Sequence, residues 1–333
     1  MPDPATELTT DELAERLIRG ERRALSRAIT LVESTRPDHR NLARALLKRL
    51  SARDSVARRI GLSGTPGVGK STFIEAMGMR LVEAGEKVAV LAVDPSSKRS
   101  GGSILGDKTR MEQLARHPNA FIRPSPSQGS LGGVARRTRE TIRLVEAAGF
   151  GTVLVETVGV GQSETMVAEM TDIFVLLLAP AGGDELQGVK RGIMEIADLI
   201  VVNKADGALK PVAETTRTEY SGALHLMRRR SRDPDGYPKA LCVSAMTGDG
   251  LDDLWQAVEH LHRWRAENGV LDKDRAEQAV SAMQRLFERR AIEHIRTSPE
   301  IAAHLPQLTN QVAGGKVLPE EAVDELMTLL GMT

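Results

Sequence analysis

The stretch RIGLSGTPGVGKST, residues 59–72, decides the fold. It begins as an apolar run, and from Gly64 to Ser71 it matches G-x-x-x-x-G-K-S without a gap. A helical pattern follows, in which Phe73 and Met77 fall on one side. A glycine-rich turn between a strand and a helix is the context of a Walker A phosphate-binding loop. The stretch therefore predicts a P-loop nucleotide-binding domain.

The residue types in this loop suit a polyphosphate ligand. Its glycines let backbone N–H groups turn toward a β-phosphate, and the helix start adds a partial positive charge. Lys70 can bridge the β- and γ-phosphate oxygens, and the Ser71 hydroxyl can bind Mg²⁺. The predicted nucleotide contacts here are Gly64, Thr65, Pro66, Gly67, Val68, Gly69, Lys70, Ser71 and Thr72.

Six further apolar runs extend this first strand into a sheet. They lie at residues 87–94, 120–126, 152–157, 173–180, 199–206 and 240–245. Strands that are almost entirely apolar and alternate with helical segments are typical of a parallel sheet covered on both faces. We expect a doubly wound, mainly parallel α/β domain that binds its ligands at the carboxyl ends of the strands.

Helical segments flank this domain on both sides. We expect a helical N-terminal subdomain at residues 1–55, the P-loop domain at 56–265 and a C-terminal helical arm at 266–333. In the arm, a polar stretch at 305–319 is predicted to separate two helices. Because the arm is small for an independent core, we expect it to pack on the main domain or on a second copy of the chain.

Within the N-terminal subdomain, three helices are predicted. Thr9 and Glu12 form a candidate capping box. Pro37 opens the third helix, and the residues predicted to line one side of it are Leu42, Leu46, Leu47 and Leu50.

Composition narrows the class of protein. Forty-five basic residues balance forty-five acidic ones among 333 residues, so no overall charge attracts nucleic acid or an acidic membrane. No apolar run approaches the roughly 18 residues that span a bilayer. The first ten residues have neither a basic start nor an apolar core. With a single cysteine, Cys242, interpreted as a core residue, the sequence predicts a cytoplasmic protein.

The base is predicted from LIVVNKAD, residues 199–206, which places N-K-x-D after an apolar strand. The Asp206 carboxylate can accept both donors on one edge of guanine, whereas adenine would leave it unsatisfied. Lys204 can lie over the base, and Asn203 can tie this loop to the P-loop. A second loop, Ser244-Ala245-Met246, follows the last strand and can donate a backbone N–H to guanine O6. GTP and GDP are therefore favoured over ATP.

The segment LVETVGVGQSE, residues 154–164, resembles a γ-phosphate switch with two differences. Glu156 stands where an aspartate is usual, and Val160 follows Gly159 where Ras-like enzymes place a water-orienting glutamine. Glu156 is a candidate Mg²⁺-side carboxylate, and Gly159 a candidate γ-phosphate contact. We expect slow hydrolysis by the chain alone.

Longer stretches resemble one family, the MeaB-like GTPases. They are VAVLAVDPSSKRSGGSILGDKTRM (88–111), FIRPSPSQGSLGGV (121–134), VETVGVGQSE (155–164) and GDELQGVKRGIMEIAD (183–198). This resemblance implies a homodimeric G protein of the SIMIBI class. It also implies a partner, an adenosylcobalamin-dependent acyl-CoA mutase, usually methylmalonyl-CoA mutase, whose cofactor delivery and protection depend on GTP.

The resemblance also implies roles for acidic and basic side chains. Asp94 and Asp107 match positions near Mg²⁺ and the γ-phosphate, although Asp94 could instead cap a turn and Asp107 could be a solvated loop residue. Lys190 matches a mobile segment that affects hydrolysis, or could be a solvated helix residue. Where relatives have a Trp before the last strand, this chain has RRRSRDPDGYPKAL at 228–241, and we interpret its arginines as a solvated loop.

Two other functions remain open from the residues. One is a nucleotide-dependent kinase or transport ATPase, against which N-K-x-D argues. The other is a nickel metallochaperone GTPase, which would need Cys and His ligands near the switch segments, where this chain has neither.

Overall fold

A computed structural model describes residues 9–51, 57–93, 111–124, 131–157, 163–180, 191–227 and 230–331. The strands are β1 Arg58–Gly64, β2 Val88–Val93, β3 Ala120–Arg123, β4 Thr152–Thr157, β5 Ile173–Leu178, β6 Leu199–Val202 and β7 Lys239–Cys242. The helices are α1 Thr10–Ile18, α2 Arg22–Glu33, α3 Pro37–Leu50, α4 Lys70–Glu83, α5 Glu112–Arg116, α6 Leu131–Ala147, α7 Ser163–Ala168, α8 Arg191–Ile196, α9 Lys210–Leu226, α10 Leu251–Glu267, α11 Val270–Arg296, α12 Pro299–Ala313 and α13 Pro319–Leu329.

In the described residues, the seven strands form one sheet in the order β3-β2-β4-β1-β5-β6-β7. Every neighbouring pair is parallel. Leu62 of β1 lies opposite Glu156 of β4, and Gly64 lies opposite Leu177 of β5. The predicted parallel α/β domain and its seven strands are confirmed. Among the described residues, no helix is long and apolar enough to cross a membrane.

Each face of the sheet has its own apolar core, because side chains alternate along a strand. On one face, Leu154 and Val175 pack with Phe73 and Met77 of α4 and with Leu261 of α10. The other face packs against α6, and α1, α2 and α3 cover α6 within the same core. The chain divides into two compact units, residues 1–278 and 279–333. The three-part division drawn from the sequence stays a prediction.

The N-terminal helices begin where local chemistry predicts. Glu12 N donates to Thr9 Oγ1 at 3.2 Å, and Thr9 N donates to Glu12 Oε2 at 2.9 Å, so the capping box is confirmed. Pro37 is the first residue of α3. Of the four leucines predicted to line one side of α3, Leu46 and Leu50 are buried, whereas Leu42 is 46% exposed.

The prediction that residues 305–319 separate two helices was wrong for 305–313, which belong to α12, and only 314–318 lie between α12 and α13. The helix begins at the N-cap Ser298, whose hydroxyl accepts a hydrogen bond from Ile301 N at 3.2 Å. Ile301 and Leu308 are buried and recur at helical spacing. Polar neighbours and Pro306, inside the helix, obscured that pattern.

A buried ion-pair cluster lies before β6. Arg265 Nη2 donates to Asp198 Oδ1 at 2.7 Å and to Asp233 Oδ1 at 2.5 Å, and Arg230 Nη1 donates to Asp198 Oδ1 at 2.9 Å. The solvated-loop interpretation is therefore wrong for Arg230, which is 17% exposed, and Arg232 also pairs with Asp198. Burial raises the pKa of Asp198, but the charges of Arg265, Arg232 and Arg230 outweigh it and hold the pKa below its ordinary value.

A second charged contact anchors the first turns of α11 to the start of β5. Arg275 Nε and Nη2 donate to the two carboxylate oxygens of Asp172, each at 2.8 Å. Arg59 N donates to the same carboxylate at 2.8 Å, and Gln278 Nε2 donates to Thr171 O at 2.8 Å. The beginning of α11 is therefore an integral part of the first unit.

We expect Arg265→Met to lower the free energy of unfolding by about 3–5 kcal/mol, because it leaves Asp198 and Asp233 buried beside an apolar side chain. Urea denaturation at neutral pH measures the change. Arg263→Met, two residues away on the exposed side of α10, is the matched control and should change stability little. A loss below about 1 kcal/mol for Arg265→Met, the size typical of surface ion pairs, would contradict this expectation.

Candidate functional site

The P-loop connects β1 to α4 and depends on two glycines for its shape. Gly69 is the N-cap of α4 with φ 90°, and a Cβ there would lie 2.9 Å from Asn203 Nδ2. A Cβ on Gly64 would lie 2.4 Å from Leu177 O, so β1 and β5 could not keep their spacing. The loop therefore fits only because both positions lack a side chain.

Lys70 is held against the loop by its own ammonium group. Its Nζ donates to Gly64 O at 2.6 Å and to Thr65 O at 3.3 Å. Burial lowers the pKa of Lys70, and the charges of Glu156 and Glu164 oppose that shift. The Lys70 ammonium thus lies in a half-buried setting close to two carboxylates, where it can attract phosphate oxygens.

Glu156 is 4% exposed and lies one residue before the end of β4. Ser71 follows Lys70 in the first turn of α4, and the charge of the buried Glu156 carboxylate acts on Lys70. These oxygen donors fit Mg²⁺. The described part of the chain contains no group of three or more His, Cys, Asp or Glu that could hold a metal ion. A magnesium ion would therefore need nucleotide and water oxygens as well.

The N-K-x-D loop is bonded directly to the P-loop. Asn203 is 1% exposed, its Nδ2 donates to Val68 O at 3.0 Å, and its Oδ1 accepts from Ala245 N at 3.1 Å. Lys204 has φ 60°, and its Nζ donates to Gly67 O at 2.7 Å. One buried amide therefore joins the phosphate loop to both predicted base loops. The sequence predicts its contact with the P-loop.

The predicted guanine carboxylate is oriented by the second base loop. Ser244 Oγ donates to Asp206 Oδ2, and the same hydroxyl oxygen accepts from Thr247 N at 3.1 Å. Ser244 is fully buried, whereas Met246 is 78% exposed. The Asp206 carboxylate is thus fixed in place by a hydroxyl whose own position is set by the turn.

The structure brings together the predicted residues of four strand ends, namely those of β1, β4, β6 and β7. Asp94, Asp107, Gly159 and Lys190 lie outside the described residues. Sequence reasoning missed Glu164, which is buried in the first turn of α7 and acts electrostatically on Lys70. Its place just after the switch segment was the available signal.

We expect Asn203→Asp to reduce GDP affinity tenfold or more and to lower the thermal midpoint, since a carboxylate oxygen would face Val68 O without a hydrogen to donate. Titration with fluorescent GDP and a circular-dichroism melt measure both. Asn268→Asp is the matched control, because Asn268 Nδ2 also donates to a carbonyl, Trp264 O at 2.8 Å, but on the exposed surface. Unchanged GDP affinity in Asn203→Asp would remove the assigned cross-link.

Comparisons with known proteins identify the family of this chain. Residues 25–300 match the family described as Methylmalonyl Co-A mutase-associated GTPase MeaB. A protein of Caulobacter vibrioides named as a GTPase is 53% identical over 325 residues, 98% of this chain and 99% of that protein. The methylmalonic aciduria type A homolog of Mus musculus, named as mitochondrial, is 48% identical over 327 residues, 95% of this chain and 78% of that protein.

A solved structure agrees over the full length. The crystal structure of a LAO/AO transport system kinase has a TM-score of 0.77 and 38% identity, and covers 99% of this chain and 100% of that chain. The resemblance drawn from the sequence motifs is thereby confirmed. The chain belongs to the MeaB family, the methylmalonyl-CoA mutase-associated GTPases.

Proposed function

We propose that this GTPase is a chaperone of an adenosylcobalamin-dependent acyl-CoA mutase, in the first place methylmalonyl-CoA mutase. Binding and hydrolysis of GTP to GDP and phosphate would gate cofactor loading of the mutase and protect it. The observation that carries the proposal is the family match over residues 25–300, whose description names the mutase. The mouse relative, named for methylmalonic aciduria, supports the same partner.

Guanine selection in this proposal belongs to Asp206, with Ser244, Ala245 and Met246 forming the second base loop. The hydrogen bond from Ser244 Oγ supports this role, because it orients the carboxylate before the base arrives. A carboxylate fixed in this way accepts from guanine N1–H and the 2-amino group but meets an acceptor in adenine.

For phosphate chemistry, we assign Mg²⁺ to Ser71 and Glu156, with Asp94 and Asp107 as further acidic groups. The bound ion would neutralise charge on the β- and γ-phosphates. Lys70 would bind these oxygens through the ammonium group that now donates to Gly64 O. Lys190, together with the three carboxylates, completes the proposed catalytic set.

A homodimer is part of the proposal, with α11 as its contact. Val280, Met283 and Phe287 recur on one side of this helix and are 52%, 62% and 73% exposed. None of the 27 residues of this helix is buried within the described chain, so the three apolar side chains face solvent. A second copy would cover this apolar face.

We propose a cytoplasmic location, supported by the single cysteine. Burial raises the pKa of the Cys242 thiol to about 11, which disfavours the reactive thiolate. The mouse relative is named as mitochondrial, so compartment differs within the family.

Two other functions are weaker candidates. A transport kinase is supported by the name of the similar crystal structure, but the joined N-K-x-D and P-loop contacts favour guanine nucleotides. A nickel metallochaperone would need clustered soft ligands, which the described residues do not provide. Competition between GTP and ATP for the purified protein distinguishes the transport kinase from the proposed GTPase. Tight ATP binding that GTP fails to displace would overturn the proposed function.

We expect Asp206→Asn to weaken GTP binding at least tenfold and to improve binding of xanthosine triphosphate, since an amide can donate to the xanthine 2-oxygen. Competition against fluorescent GDP measures both affinities. Asp249→Asn, which makes the same change at an exposed carboxylate in the loop after β7, is the control. GTP affinity that stays unchanged in Asp206→Asn would remove the base-recognition argument.

We expect purified methylmalonyl-CoA mutase to accelerate GTP hydrolysis several-fold or more, because Val160 occupies the position where other enzymes carry a water-orienting glutamine. Phosphate release with and without the mutase measures the effect. Lys70→Ala, which lacks the phosphate-binding ammonium, is the control for contaminating hydrolases. Rapid turnover by the chain alone, with no response to the mutase, would contradict the proposed partner.

A further inference from the structure

A pair of buried hydroxyl groups lies on the back of the nucleotide site. Thr157 Oγ1 donates to Ser63 Oγ at 3.0 Å. Thr157 is 0% and Ser63 is 1% exposed. Both residues point to the face of the sheet opposite Leu62 and Glu156, because neighbouring side chains on a strand alternate. Around them that face is apolar, with Val93, Val155 and Leu176 among its buried members.

The pair joins the two strands at the place where their loops begin. The register of β1 with β4 runs to Leu62 opposite Glu156. Ser63 and Thr157 are the next residues, so their hydrogen bond continues the connection one step further through side chains. Ser63 is followed by Gly64, the first residue of the P-loop, and Thr157 is the last residue of β4.

These contacts connect Lys70 to Glu156 through the ends of β1 and β4. Lys70 Nζ donates to Gly64 O, Gly64 is bonded to Ser63, and Ser63 accepts from Thr157. Thr157 is bonded to Glu156, whose charge acts on Lys70 across the front of the sheet. The spacing between the Lys70 ammonium and the Glu156 carboxylate therefore depends on how firmly the two strand ends are joined.

Apolar side chains at positions 63 and 157 would fill this part of the core equally well. Replacing both partners of a buried hydrogen bond by apolar groups of similar shape can be nearly neutral for stability. A hydroxyl pair differs in that it is directional, and it fixes the distance between two backbone segments. Small displacements of groups around a reacting centre can cost a hundredfold in rate.

We propose that Ser63 and Thr157 are positioning residues for GTP hydrolysis, setting the spacing of Glu156 from Lys70 through their hydrogen bond. The inference rests on the proposed Mg²⁺-side role of Glu156. Neither residue touches the nucleotide, and both act through the residue next to them in the chain.

The test is a double-mutant cycle in single-turnover GTP hydrolysis with Thr157→Val, Ser63→Ala and the double variant. We expect each single variant to lose about tenfold in rate. The double variant should be no slower than the slower of the two single variants, because all three remove the same hydrogen bond. GDP affinity at saturating Mg²⁺ should stay within about threefold. Thr157→Ser keeps the hydroxyl and should retain the wild-type rate.

The control is Thr138→Val, which removes a buried hydroxyl that donates to Val134 O at 2.9 Å within α6. A second readout needs no turnover: the Mg²⁺ concentration that half-saturates its effect on GDP binding should rise in Thr157→Val and Ser63→Ala but not in Thr138→Val. Wild-type rates in Thr157→Val, or additive losses in the double variant, would overturn the proposal. If the wild-type protein turns over no GTP, the proposed function fails, and an unchanged Mg²⁺ dependence would then overturn this inference independently.

Discussion

Parallel strands place all their carboxyl ends at one edge of a sheet. In this molecule, that shared edge is what brings the three predicted nucleotide loops together. The P-loop leaves β1, and the two base loops leave β6 and β7. These loops are far apart in sequence, yet the Asn203 side chain bonds to both of the others. Because the amide is buried and both of its ends are used, its hydrogen bonds join the three loops. In the proposed function, recognition of the base and of the phosphates would share these joined loops.

At the opposite edge of the sheet, buried carboxylates accept hydrogen bonds from the backbone of the strands. There the strands begin, and the N–H groups of the second residues of β1 and β5 donate to carboxylates: Asp172 accepts from Arg59 N, and Asp198 from Phe174 N, each at 2.8 Å. Burying two carboxylates is unfavourable unless cations accompany them. Arg275 and Arg265 supply these cations from α11 and α10. The carboxyl edge thus carries the proposed nucleotide loops, whereas the opposite edge carries the buried ion pairs that join α10 and α11 to the sheet.

Local spacing made much of this predictable. The Walker A loop, N-K-x-D and the seven apolar runs are encoded in consecutive residues, so the strands and the nucleotide edge follow from the sequence. Contacts between distant residues left no such trace: Arg230 meets Asp198 across 32 positions, and Thr157 meets Ser63 across 94. An arginine in a polar run looks solvated until its partner is known. Helix α12 was hidden for another reason, because polar residues and a proline interrupted its two buried positions.

The attachment of α11 also bears on where the nucleotide-binding part of the chain can be cut. Every strand and every predicted nucleotide contact lies before residue 265, so a motif-based boundary falls there. A shortened protein ending at that point would keep Asp172 in the sheet edge but lose Arg275, and the carboxylate would remain beside Arg59 N without its guanidinium partner. Such a fragment would expose an unneutralised acid at the base of a central strand. The smallest fragment that keeps both the Arg275–Asp172 ion pair and the hydrogen bond from Gln278 to Thr171 O extends through Gln278.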